Sequence, residues 1–173
     1  MVAMASDATN SRPALQSRVV LQQCLSARLM IQPASEGKEA EYIERGMVVY
    51  VCYLQGSAEE IISEIASSIL NARLSETDTG RLVSILDLHG DILIIPQATL
   101  GGNLKCKGMQ YHRNSDKEDG LKNCIISVLH CWKEQFKIRL QSAIKTSVKY
   151  GTYGNRLVFS METNGQYTRY LEF

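Results

Sequence analysis

The chain has 173 residues, 45% of them apolar, with 19 basic side chains against 18 acidic ones. That length and apolar content suit one ordinary domain with a sizeable core. The net charge of +1 excludes a global pull toward nucleic acid or an anionic membrane, so any RNA contact must be local.

The opening MVAMASDATNSRP has neither the basic start nor the apolar core of a secretory signal. No run reaches the roughly 18 to 20 apolar residues of a membrane span, so a soluble cytoplasmic protein with no membrane partner is expected. Its five cysteines are odd in number and lack CxxC spacing, which reads as reduced thiols.

Residues 1–16 are small and polar and are expected to form a disordered tail, leaving 17–173 as the folded domain. From Arg18 to Gln32 partial alternation predicts one half-buried strand, ended by a turn over Pro33 to Lys38. Met47 to Leu54 is continuously apolar, β-branched and aromatic, the pattern of a central strand. Gln55-Gly56 breaks it, and Ser57-Ala58-Glu59-Glu60 matches a capping box opening a helix over 58–72, with Ile61, Ile62, Ile65, Ile69 and Leu70 at helical spacing. Thr77 to Gly80 is a turn in which the glycine supplies a positive φ. Strands over 81–86 and 91–95 flank Leu88-His89-Gly90, which reads as a tight hairpin with His89 at its solvated tip.

Asn103 to Gly120 is a long polar connection, basic at Lys105, Lys107 and Arg113. Leu121, Ile125, Val128, Leu129, Trp132, Phe136 and Leu140 then trace one face of a second helix reaching to about Thr146. Val148 to Tyr150, Arg156 to Glu162 and Thr168 to Phe173 read as strands. The whole is a single α/β domain with helices packed on a mixed sheet.

Catalytic constellations are scarce. There is no HExxH, no Gly-x-Ser-x-Gly elbow and no phosphate-binding glycine loop. His130 and Cys131 adjoin one another on a helix and so do not share a face. The three histidines fail zinc spacing, and no metal or other cofactor is expected. Cys106, between Lys105 and Lys107, with His112 nearby in sequence admits a thiol nucleophile and its base, but no third orienting group is evident. An exposed thiol is the plainer reading.

The informative stretch is DILIIPQATLGG, residues 91–102, where a buried strand runs into proline, an amide, a small side chain, a hydroxyl and two glycines. It is either an ordinary loop or a place where backbone N–H groups approach a ligand closely and hold a developing oxyanion.

Residues 69–102, ILNARLSETDTGRLVSILDLHGDILIIPQATLGG, resemble the D-aminoacyl-tRNA deacylase family. GTYGNR at 151–156 and TNGQYT at 163–168 continue the likeness, which runs from about residue 18 to the C-terminus. Pro96 to Gly102 together with Met109-Gln110-Tyr111-His112 are most similar to the animal branch of that family, the animal-specific, D-tyrosyl-tRNA deacylase 2-like enzymes. The resemblance implies a deacylase-like fold with a barrel-like mixed sheet and a homodimer. It implies proofreading of mischarged tRNA by hydrolysis of the ester to the 3′-terminal adenosine, on L-alanyl-tRNA(Thr) and on D-aminoacyl-tRNA.

By the same likeness, the Gln97, Ala98 and Thr99 segment holds the oxyanion or the terminal ribose while the RNA 2′-hydroxyl assists. Pro96, Leu100, Gly101, Gly102, Met109, Tyr111 and His112 line the 3′-end pocket. Asn164, Gly165, Gln166 and Thr168 form the loop that reaches into the partner subunit, and Lys105, Lys107 and Arg113 either meet phosphates or form a solvated face. Gln166 departs from the family, which carries proline there. A non-proline cis bond costs about 2.5 to 4 kcal/mol, so a trans Gly165-Gln166 peptide is expected. The same departure keeps open a weakened module that binds tRNA ends or a protein partner without turnover.

Overall fold

The computed structural model describes residues 14–32, 40–141, 146–152, 156–165 and 167–173. Most of the presumed tail, the Tyr153-Gly154-Asn155 segment and Gln166 with its peptide geometry lie outside the described residues. So do the side chains of Val128, Leu129, Trp132, Phe136 and Leu140.

The run from Arg18 to Gln32 divides into two strands, β1 (Ser17–Cys24) and β2 (Ser26–Gln32). The break falls at exposed Leu25, whose amide donates to the carbonyl of Glu162 at 2.8 Å. The reason is that the chain changes sheets there. Val19 and Leu21 belong to one core, whereas Cys24, Ala27 and Leu29 belong to another.

β3 (Glu41–Ile43) and the central strand β4 (Gly46–Tyr53) follow. Val48 faces the second core while Met47, Val49 and Val51 face the first, which is why β4 carries no polar alternation. Gly46 permits the close approach of the Asp91 backbone: a Cβ there would lie 1.9 Å from the Asp91 carbonyl oxygen.

Helix α1 (Glu59–Asn71) buries Ile62, Ile65, Ala66, Ile69 and Leu70, as the spacing predicts. The capping box does not form. Ser57 shares its one hydroxyl hydrogen between the carbonyls of Gln16 and Leu54, both at 2.6 Å, so Ala58 becomes the capping position and its amide donates to the side-chain oxygen of Gln16 at 2.9 Å. Bonds to residues before the helix, one of them as distant as Gln16, have displaced the box.

After β5 (Ser75–Glu76), a turn with Gly80 at φ 77° and β6 (Leu82–Val83), the expected hairpin is absent. Its place is taken by α2 (Ile85–Leu88), a single turn capped by Ser84, whose Oγ accepts from the Asp87 amide at 3.0 Å. His89 ends it in the left-handed region at φ 55° and is half-buried rather than a solvated tip. β7 (Asp91–Pro96) pairs in parallel with β4, from Gly46 opposite Asp91 to Val51 opposite Pro96. Parallel neighbours need a crossover, and the connection from β4 to β7 supplies it through α1.

β7 leads into a 3-10 turn (Ala98–Gly101), a short ribbon of β8 (Asn103–Lys105) and β9 (Gly108–Gln110), and helix α3 (Lys117–Gln141). β10 (Val148–Tyr150), β11 (Arg156–Glu162) and β12 (Thr168–Glu172) complete the chain.

The main sheet has the order β10-β7-β4-β1-β12, and the second β11-β2-β3. α1 and α3 cover one face of the main sheet and the second sheet covers the other. The mixed α/β expectation holds, but the sheet is not a closed barrel. Closure needs an unbroken hydrogen-bonded circuit of strands; here two open sheets stack on Val48, Leu93, Ile95, Ala27, Leu29 and Ile43. Among the described residues no helix is long and apolar enough to cross a membrane.

Candidate active site

Pro96 is the last residue of β7, and the ladder runs one step further through the Gln97 amide, which donates to the Val51 carbonyl at 2.8 Å. The backbone then tightens. Leu100 N–H donates to the Gln97 carbonyl at 3.1 Å and Gly102 N–H to the Thr99 carbonyl at 3.2 Å. Because the first bond of the turn begins at the Leu100 amide, those of Ala98 and Thr99 precede it and have no partner within the turn. Among the described residues they have no other partner, and both residues are exposed.

The carbonyl side of the turn is anchored instead. Asn114 Nδ2 donates to the Ala98 carbonyl at 2.7 Å, and Arg18 donates to the carbonyls of Leu100 at 3.0 Å and Gly102 at 3.3 Å. Arg18 is itself held by Glu172 at 3.3 Å. Beneath lies the buried thiol of Cys52, 3.8 Å from the Ala98 carbonyl. Burial pushes this thiol up, against the Gly101 amide and the Arg18 charge that pull it down, so it stays a neutral packing group at physiological pH. Gly101 is required by this packing, since a Cβ would stand 1.8 Å from Asn114 Oδ1.

The Gln97 side-chain amide donates to Thr99 Oγ1 at 2.6 Å, so these two side chains brace the turn. What remains free is a pair of N–H groups at its start, backed by a cation at its carbonyl end. That is the polarity a developing oxyanion requires.

The structure brings Met109 and Tyr111 to this place as well: a Cβ on Gly102 would lie 2.5 Å from Met109 Cε and 2.7 Å from Tyr111 Cε1. His112 is exposed beyond them, and no hydrogen bond joins it to Cys106, which stands at φ 55° between β8 and β9.

Asn164, Gly165 and Thr168 are elsewhere. Thr168 donates to Gln22 Oε1, and Gln22 Nε2 reaches Thr163 Oγ1 at 3.3 Å and the Gly165 carbonyl at 3.5 Å. Gln22 is four residues along β1 from Arg18, about 13 Å at strand rise. Within one chain the two motifs therefore sit at opposite ends of β1. Two cavities, of 410 and 350 Å³, are lined by none of residues 96–102.

Arg18, Asn114, Cys52 and Gln22 escaped the sequence reading. Arg18 and Gln22 look like ordinary strand residues, and nothing local marks a side chain whose partner is a carbonyl 82 positions away. Among the described residues no group of three or more His, Cys, Asp or Glu could hold a metal ion.

Among the described residues, a mixed α/β fold thus presents a pair of unpartnered amides at an exposed turn. The family model described as D-Tyr-tRNA(Tyr) deacylase matches residues 20–172. D-aminoacyl-tRNA deacylase 2 of Danio rerio is 48% identical over 161 residues, spanning 92% of this chain and 100% of the relative. The Homo sapiens protein of the same name is 48% identical over 160 residues, 91% and 95%. Two solved structures share the fold: one titled a probable eukaryotic D-amino acid tRNA deacylase (TM-score 0.76, 23% identity, covering 91% of this chain and 100% of that one), the other a c-Myc DNA unwinding element binding protein (0.75, 21%, 90% and 98%). The chain belongs to the D-Tyr-tRNA(Tyr) deacylase family and is an ester hydrolase of that class.

Proposed function

We propose that this protein removes wrongly attached amino acids from tRNA in the cytoplasm, hydrolysing the ester to the 3′-terminal adenosine, with D-aminoacyl-tRNA and L-alanyl-tRNA(Thr) as substrates. The observation that carries the reading is the outward pair of N–H groups on Ala98 and Thr99, rigidly backed by Arg18 and Asn114.

In this scheme the ester carbonyl oxygen lies against the two amides. Water adds to the carbonyl carbon, the negative charge that forms on oxygen is held by N–H dipoles already in place, and the terminal 2′-hydroxyl takes part in moving the proton. Collapse of the tetrahedral species breaks the bond to the ribose oxygen, which takes up a proton, and the products are a free amino acid and an uncharged tRNA. Met109 and Tyr111, beside Gly102, flank the adenine.

The active unit is a homodimer in which the Gly165-Gln166 loop of one subunit enters the other's pocket. The separation of that loop from the turn within a single chain supports this, because only a second copy can unite them. Position 166 is glutamine rather than the family's proline, and because a non-proline cis bond is costly, in this reading the Gly165-Gln166 peptide is trans.

Single-turnover deacylation of D-aminoacyl-tRNA and of L-alanyl-tRNA(Thr) tests the reading. Release of amino acid above the uncatalysed rate on both is expected. The uncatalysed rate on both would leave a binding module of the same fold.

A further inference from the structure

Immediately after the turn the chain projects the β8–β9 ribbon, and its composition is one-sided. Between Asp91 and Asp116 there is no carboxylate, while Lys105, Lys107 and Arg113 fall in that interval. All three are exposed, and none has an ion pair or side-chain hydrogen bond among the described residues, whereas Arg18, Arg45 and Lys149 are each paired with a carboxylate. In a chain of net charge +1, this is a local concentration of unspent positive charge.

The ribbon's pleat sorts its side chains. Leu104 stands opposite Met109 on one face, while Lys105 pairs with Gly108 on the other. Leu104 is 73% exposed and Met109 48%, and Met109 joins Tyr111 against Gly102. An apolar rim thus runs from the turn along the ribbon and ends at a tip carrying two lysines. Cys106 at φ 55° makes that tip a tight reversal, holding Lys105 and Lys107 on either side of it. Three residues of strand put them about 10 Å beyond the turn, outside the reach of the ester and its ribose. Apolar and aromatic faces for unstacked bases, next to cations for the backbone, are what an unpaired RNA end selects.

Given the aminoacyl-tRNA reading of the turn, on which this rests, we propose that the β8–β9 ribbon is an RNA-docking arm whose Lys105 and Lys107 bind phosphates on the strand leading into the terminal adenosine. The arm reads no sequence. It sets the register of the 3′ end on the turn.

The test compares two substrates, an aminoacylated tRNA and the aminoacyl ester of adenosine alone, using wild-type protein, Lys105→Ala/Lys107→Ala and Lys105→Arg/Lys107→Arg. The alanine pair should lower kcat/KM on the tRNA about tenfold at low salt and flatten the slope of log kcat/KM against log salt by about 1.4, the release expected for two phosphates of a single strand. It should leave the adenosine ester unaffected, and the arginine pair should keep the wild-type rate on both. Equal loss on both substrates, an unchanged salt slope, or a change in sedimenting mass, which would make the ribbon a contact between copies of this chain, overturns the docking arm. If wild-type protein cleaves neither substrate, the reading of the turn fails instead.

Discussion

A single N–H group is the smallest unit on which the proposed chemistry depends, and proline offers a way to remove one. Ala98 is the first residue of its turn and Gln97 before it, at φ −130°, ψ 81°, lies outside the helical region that a following proline disfavours. Ala98→Pro should therefore retain the fold, checked by circular dichroism, and lose about 10² to 10³ in single-turnover rate, the usual cost of one oxyanion donor. Ala98→Gly, which keeps the amide, should stay close to wild type.

The thiols separate just as cleanly. Cys106 is exposed and the other four cysteines are buried, so a brief exposure of native protein to iodoacetamide should label Cys106 alone by mass spectrometry. Under the proposed backbone mechanism, Cys106→Ala should deacylate at the wild-type rate. Loss of turnover would revive the thiol mechanism.

At the scale of elements, α3 is locked to β4 by one buried polar contact. Ser127 donates its only hydroxyl hydrogen to the Asn123 carbonyl at 3.1 Å, so Tyr53 must be the donor in the hydrogen bond between them. Ser127→Ala strands a buried phenol and should cost about 1 to 3 kcal/mol in urea unfolding. Adding Tyr53→Phe removes the stranded group and should recover most of that loss.

The same helix face carries Cys124 and Cys131, each pushed by burial from 9.0 up to about 12. Unfolded, these thiols give up their protons around 9.0; folded, they keep them to about 12. Stability is thus fully present below pH 9 and falls as the pH climbs toward 12. Denaturation midpoints measured across that window should decline, and less steeply in a Cys124→Ala variant.

For the whole molecule, the separation of the Thr163 to Thr168 segment from the turn makes assembly the decisive question. Sedimentation should give twice the 19.3 kDa chain mass. Ala98→Pro protein and protein lacking residues 164–166 should each be nearly inactive, and refolding them together should restore part of the rate, since the intact turn of one then meets the intact loop of the other. No recovery on mixing would place the complete site within one chain.

The amino-acid order alone determined much of this molecule. The continuous apolar run of β4, the helical spacing of α1 and the breaks at Gly56 and Gly80 depend only on neighbours within a turn or a pleat, so local periodicity specifies them. The stretch from Pro96 to Gly102 was likewise visible as an unusual strand exit. Only the tertiary structure decided that β7 lies parallel to β4, that the Gln16 carbonyl reaches the Ser57 hydroxyl, and that Arg18 and Asn114 hold the back of the turn. Those outcomes turn on which distant donor reaches a carbonyl first, and periodicity carries no record of partners brought from the far end of the chain.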